Sequence, residues 1–128
     1  MIIDTSALLA IFLGEPERRR FLDAIIRADA RSISAANNLE TGIVLEARRG
    51  ESAGREFDLF LRQARVDVVP VDADQVDIAR IAWRQYGKGR HPAALNFGEC
   101  FAYALAKILG EPLLAKGNDF AQTDIPTV

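Results

Sequence analysis

The first thirteen residues, Met1-Ile2-Ile3-Asp4-Thr5-Ser6-Ala7-Leu8-Leu9-Ala10-Ile11-Phe12-Leu13, constrain the fold more than any other stretch of the chain. An apolar run begins at Met1, stops at a single carboxylate, and resumes after a Thr-Ser pair. Residues 1–3 show no polar alternation, which is the pattern of a short strand buried on both faces of a parallel sheet. Residues 7–13 are good helix formers, so a helix follows at once. Asp4 therefore stands at the C-terminal end of a strand, where an open α/β sheet keeps its ligand crevice. Aspartate is also a favoured N-cap. Which role Asp4 plays depends on whether other acids join it.

Periodicity divides the rest of the chain into alternating strands and helices. Gly14-Glu15-Pro16-Glu17 breaks the first helix, and Phe21, Leu22, Ile25 and Ile26 predict a second one running to about Asp29. Arg31–Ser34 alternates as a short strand. Ile43, Val44 and Ala47 mark one face of a helix that stops at Arg48-Arg49-Gly50. A further helix covers 53–64, with Phe57, Phe60 and Leu61 inward, and the β-branched run 66–71 is a third strand. From Ala73 to Tyr86 a helix offers Val76, Ala79, Ile81, Ala82 and Trp83 to the core. After the basic loop Gly87–Pro92, residues 95–109 are apolar nearly all round and predict a central helix. Leu113–Ala115 supplies a fourth strand, and a short edge strand is expected near Ile125. This alternation predicts one α/β domain over 1–128, with a mostly parallel sheet flanked by helices.

Composition removes several classes of chemistry. The formal net charge is −2, so any nucleic-acid partner must be met by a local basic patch. Cys100 is the only cysteine, which forbids an internal disulfide and suits a reducing compartment. No apolar stretch is long enough to span a bilayer, and the N-terminus reads as strand rather than as a leader, so a cytoplasmic location without membrane contact is expected. His91 is the only histidine, which leaves no second one for a zinc cluster. Ser6 lacks the glycines of a nucleophile elbow, and Gly87-Lys88-Gly89 lacks the spacing of a phosphate-binding loop. Chemistry is left to the carboxylates.

Four acids stand in conspicuous places. Asp4 and Asp119 follow the first and fourth strands, at the same end of a parallel sheet. Glu40 precedes Ile43, Val44 and Ala47 at helical spacing, and Glu99 shares a row with Leu95, Ala102, Ala106 and Leu109. A carboxylate on a core-facing stripe is costly unless paired, hydrogen-bonded or metal-bound. Each has a structural alternative. Asn37 and Asn96 each lie three residues before a glutamate, the spacing of a capping box, and Asp119 suits an Asx-turn. Gathered in one crevice, however, the four would repel one another unless a divalent cation joined them.

These blocks resemble a known family. Met1–Leu8, Asn38-Leu39-Glu40-Thr41, His91–Ala106 and Leu113–Phe120, followed by Thr123-Asp124-Ile125, resemble a PIN domain, and specifically a VapC-type toxin of a type II toxin–antitoxin pair. The resemblance covers essentially the whole chain. It implies a three-layer fold with a mostly parallel sheet of about five strands, and a metal-dependent endoribonuclease whose acidic residues fall on Asp4, Glu40, Glu99 and Asp119. The third of these positions is usually aspartate, so Glu99 carries one methylene more than the pattern.

From the resemblance the following is expected. Asp4 and Glu99 are the principal ligands of Mg²⁺ or Mn²⁺, with Glu40 and Asp119 completing the shell through waters or holding a second ion. Thr5 or Ser6 orients Asp4, with Asn96 as a further support. Lys88, Arg90, His91 and Lys116 contact RNA phosphates. A small cognate antitoxin is expected to reach the acids with a C-terminal Arg or Lys and to fill apolar grooves near Leu8, Leu9, Ile11, Phe12 and Phe21. A homodimer is also implied. Two other classes remain open, a DNA nuclease with the same acids and a binding module whose acids only cap helices.

Overall fold

The computed structural model of the chain describes residues 1–128. Four parallel strands, β1 (Ile2–Ile3), β2 (Ser32–Ser34), β3 (Asp67–Val69) and β4 (Leu113–Leu114), lie in the order β3-β2-β1-β4. Six helices flank them: α1 (Thr5–Phe12), α2 (Arg18–Arg27), α3 (Ala35–Arg49), α4 (Glu51–Gln63), α5 (Ala73–Tyr86) and α6 (Phe97–Leu109). A single 3₁₀ turn, Phe120–Gln122, follows β4.

The two-faced greasiness of β1 decides the layering. Ile3 points into one core with Leu8, Ile11, Phe21, Ile25, Leu45, Phe57 and Leu114, whereas Ile2 points into a second with Leu95, Tyr103, Leu105 and Leu113. The first core sits under α1 to α4 and the second under α5 and α6, so the sheet is sandwiched as the alternating pattern predicts. Strand order reverses at β1, between β2 on one side and β4 on the other. The crevice at such a switch point opens at the strand C-termini, where Asp4 follows β1.

Several details differ from the sequence expectation. The sheet has four strands, not about five. The segment near Ile125 makes only an isolated bridge, Leu113 to Thr127, with the Leu113 N–H donating to the Pro126 carbonyl at 2.9 Å. Pro126 has no N–H to continue a ladder. Helix α2 ends at Arg27 rather than near Asp29, and the Arg31 guanidinium covers its end by donating to the carbonyls of Ile25 and Ile26. Helix α6 starts at Phe97, after Leu95 has turned inward.

Two helices also turn a different face to the core. On α3 the buried residues are Asn37, Thr41 and Leu45, while Ile43 is 57% exposed and Ala47 lies outside. On α5 they are Gln75, Ala79 and Ala82, with Val76, Ile81 and Trp83 in solvent. Ala79 and Ala82 face Ala102 and Ala106 in one cluster, and such small side chains let α5 and α6 approach closely and push the bulky residues out. Residues Leu8, Ile11 and Phe21 are buried in the first core, and Phe12 packs edge-on against Phe57 and Phe60 at 5.7 and 5.5 Å. Leu8, Ile11 and Phe21 are thus taken up by this chain's own packing, whereas Leu9 and Phe12 are only partly buried and Leu9 lines the cleft described below. No helix is long and apolar enough to cross a membrane.

Candidate active site

The crevice beyond β1 is a cleft of about 210 Å³ lined by Asp4, Thr5, Ser6, Leu9, Glu40, Val44, Asn96 and Glu99. Asp4 caps α1. Its Oδ2 accepts the Ser6 N–H at 2.9 Å and the Ser6 hydroxyl at 2.6 Å. The cap uses one oxygen only. Asp4 is 2% exposed, and its Oδ1 is buried with no hydrogen-bond partner. Burial raises the Asp4 pKa, the two Ser6 hydrogen bonds oppose the shift, and the charge of Glu40 adds to it. Ser6 also accepts the Lys116 backbone N–H at 2.9 Å, which ties the Asp4 carboxylate to the segment after β4.

Glu40 is held differently. Its Oε1 accepts the Thr5 hydroxyl at 2.5 Å and, at 3.4 Å, the Asn37 side-chain amide. Of the two residues expected to orient Asp4, only Ser6 does so; Thr5 orients Glu40 instead. The capping alternative fails for Glu40, because α3 begins at Ala35 with Ser34 as its N-cap and Asn37 lies inside the helix. Asn37 instead donates to the Gly98 carbonyl at 2.9 Å, joining α3 to α6.

For Glu99 the capping alternative holds. Asn96 Oδ1 accepts the Glu99 N–H at 2.9 Å, and Glu99 Oε2 accepts the Asn96 N–H at 2.8 Å. Its other oxygen takes no part in the box. Desolvation lifts the Glu99 pKa from 4.5 to about 7; the Asn96 N–H opposes this, and the charges of Asp4 and Asp119 reinforce it. A cap alone would not need two further acids close enough to disturb it. Asp119 opens the 3₁₀ turn without a side-chain capping bond, so the Asx-turn alternative is absent.

Sequence reasoning missed Gly98. A Cβ built there would lie 2.5 Å from Glu40 Oε2 and 2.6 Å from Oε1, so the glutamate reaches α6 only because this position has no side chain. The available signal was a glycine in the first turn of an otherwise strongly helical segment, where it costs about 1 kcal/mol against alanine.

The basic residues do not gather at the acids. Lys116 is engaged with Glu15 and sits 3.6 Å from Glu17, so it is not a free cation, and the pairing with Glu15 raises its pKa. His91 uses Nδ1 to accept the Ala93 N–H at 3.0 Å and packs edge-on to Tyr86. Arg90 lies 4.5 Å over the Trp83 ring, and Lys88 lines a separate groove beside the cleft. The acids are near enough to feel each other's charge, but no three are gathered into a ready metal cage. The donor chemistry nevertheless fits a hard divalent cation. Every donor is a carboxylate oxygen, one of them buried and unpaired, and Mg²⁺ keeps several waters and needs only one or two direct carboxylates.

The family described as PIN domain matches residues 1–126. Ribonuclease VapC30 of Mycobacterium tuberculosis is 58% identical over 128 residues, covering 100% of this chain and 98% of that protein. Ribonuclease VapC of Mycolicibacterium smegmatis is 55% identical over the same length, covering 100% and 99%. Among solved structures, Mycobacterium tuberculosis VapC20, described as a sarcin-ricin loop cleaving toxin, superposes with a TM-score of 0.80 at 21% identity, over 99% of this chain and 97% of that one. VapBC2 from Rickettsia felis, bound to a DNA fragment from its promoter, gives 0.71 at 15% identity, over 98% and 92%. These last two similarities establish the fold.

Proposed function

Because the chain belongs to the PIN-domain family and is a VapC-type endoribonuclease toxin, we propose that it hydrolyses RNA phosphodiester bonds with a divalent cation held at Asp4, Glu40, Glu99 and Asp119. The observation that carries the assignment is the buried, unpaired Oδ1 of Asp4, a residue that lines one cleft with Glu40 and Glu99. Helix capping accounts for Oδ2 and leaves Oδ1 unexplained. A buried carboxylate oxygen without a donor is costly, and a cation supplies the missing partner.

Asp4 and Glu99 would hold Mg²⁺ or Mn²⁺ directly, with Glu40 and Asp119 acting through water. Such an ion lowers the pKa of a bound water and offsets charge developing on the scissile phosphate. The chain's own residues supply the rest. Ser6 fixes the Asp4 carboxylate plane by two hydrogen bonds, and Thr5 fixes Glu40 by one. Asn96 holds one oxygen of Glu99, so only the other is free to meet a ligand. Burial holds the Glu99 pKa up at about 7, so a cation binding there would have to displace its proton. Lys88 and Arg90, on the loop beside the cleft, would meet the RNA backbone.

The same acids suit inhibition. A small antitoxin would place a C-terminal Arg or Lys among them, arginine being favoured because its planar fork pairs with a carboxylate through two hydrogen bonds. The protein would work in the cytoplasm as a homodimer of single-domain subunits. The test is expression in a bacterial host, alone and with the small protein encoded beside it, followed by mapping of cut RNA ends. Expected are growth arrest and discrete RNA cuts that disappear with the antitoxin or with Asp4→Asn. RNA that remains intact during arrest would overturn the proposal.

A further inference from the structure

Beside the acidic cleft lies a second groove of about 530 Å³ between α5 and α6, walled by Trp83, Leu95, Phe97 and Phe101 and rimmed by Arg80 and Lys88. Asn96 lines both, so the two lie on either side of one residue. We infer that this groove is a nucleobase subsite, in which the ring of Phe97 stacks on a base of single-stranded RNA that flanks the acidic cleft. The inference rests on the ribonuclease activity proposed above and adds to it where the substrate strand lies.

Three observations carry it. Phe97 is 81% exposed, more than any other large apolar side chain of the protein, and it opens α6 directly after Asn96. An aromatic ring left in water contributes little to the fold, and Phe97 shares the first turn of α6 with Glu99 while pointing to a different side of the helix. A base on that ring therefore belongs to a nucleotide flanking the acidic cleft. Second, the groove is aromatic rather than merely apolar. Phe97 meets Phe101 edge-on at 5.0 Å, and the Trp83 ring is 48% exposed. Third, its charge is one-sided. The chain has 18 acids against 16 Lys and Arg, yet this groove is lined by Arg80 and Lys88 and by no carboxylate, and Arg90 stacks over Trp83 at its edge. Aromatic platforms with flanking cations are how proteins track single-stranded nucleic acid. A cation-rimmed wall suits a polyanion better than the basic tail of an antitoxin.

Trp83 is the only tryptophan and reports directly on the groove. The experiment titrates the full chain with a single-stranded RNA hexamer in chelator at low ionic strength, following Trp83 fluorescence. The same titration is run with the hexamer carrying one abasic nucleotide at each position in turn. Expected is quenching by the intact hexamer, with affinity falling about tenfold to a hundredfold in Phe97→Leu and holding within about threefold in Phe97→Tyr. One abasic position should cost the wild type a similar factor and cost Phe97→Leu little further. Because Phe97 is exposed, both variants should melt like the wild type. If Phe97→Leu binds RNA like the wild type, the subsite is overturned while the ribonuclease stands. Should Phe97→Leu instead convert a dimer to a monomer with RNA affinity unchanged, the groove belongs to a second copy and the inference is equally overturned. A wild type that neither binds the hexamer nor cleaves RNA with Mn²⁺ overturns the ribonuclease reading, and the subsite with it.

Discussion

Replacing Glu99 by glutamine separates capping from metal binding within one side chain. Glutamine keeps an oxygen to accept the Asn96 N–H, so the capping box survives. It removes the charge that Asp4 and Asp119 oppose. A carboxyl lifted from 4.5 to about 7 carries a penalty of about 3 kcal/mol on its ionised form. Glu99 is only partly buried, so solvent screening brings this to about 1–2 kcal/mol. The sign follows from proton binding. Between pH 4.5 and 7 the folded chain holds a proton at Glu99 that the unfolded chain has lost. This contribution therefore destabilises the metal-free fold progressively as pH rises through that window, and is absent below it. Glu99→Gln should then melt about 4–8 °C above the wild type at pH 8 in chelator, and level with it near pH 4.5. RNA cleavage should be lost at every pH. Melting curves in chelator from pH 4.5 to 8, with cleavage assays alongside, provide the check. Equal stability at pH 8 together with retained cleavage would refute the crowded-acid account.

Three further outcomes follow from the same geometry. Gly98→Ala should fold normally and gain up to about 1 kcal/mol of helix propensity, yet lose cleavage because its methyl group displaces the Glu40 carboxylate; melting and cleavage rates measured together show this. Ser6→Ala removes a donor to Asp4 and an acceptor for the Lys116 N–H, so it should cost about 1–2 kcal/mol and weaken Mn²⁺ binding about tenfold or more by calorimetry. Divalent cation should raise the melting temperature more at pH 8 than at pH 6, since protonated Glu99 competes with it; scanning calorimetry at both pH values tests the direction.

What was legible in the sequence depended on whether apolar residues were the ones that packed. Ile2 and Ile3 enter opposite cores, as a strand greasy on both faces must, and that alone located Asp4. Glu99 was readable as an acid on the buried side of an apolar helix. Glu40 was identified as a site acid for a mistaken reason. The stripe of Ile43 and Ala47 points outward, because α3 packs through Asn37 and Thr41, whose donors are hydrogen-bonded inside: the Asn37 side-chain NH₂ to the Gly98 carbonyl, and the Thr41 hydroxyl to the Asn37 carbonyl at 2.8 Å. Hydropathy assigns no core role to such residues, so it selects the wrong face. The same limit applies to α5, where Ala79 and Ala82 do the packing and Trp83 is left outside. Lys116 could be recognised as a cation in sequence, but its engagement with Glu15 spans the fold and leaves no local trace.

The most direct test of the central claim is RNA cleavage by the purified chain in chelator, Mg²⁺ and Mn²⁺, beside Asp4→Asn, with the chemistry of the new ends determined. Attack by a water at the acidic site predicts cleavage only with a divalent cation, linear phosphate and hydroxyl ends with no 2′,3′-cyclic phosphate, and none from the variant. Cleavage that persists in chelator, or in Asp4→Asn with Mn²⁺ present, would contradict it.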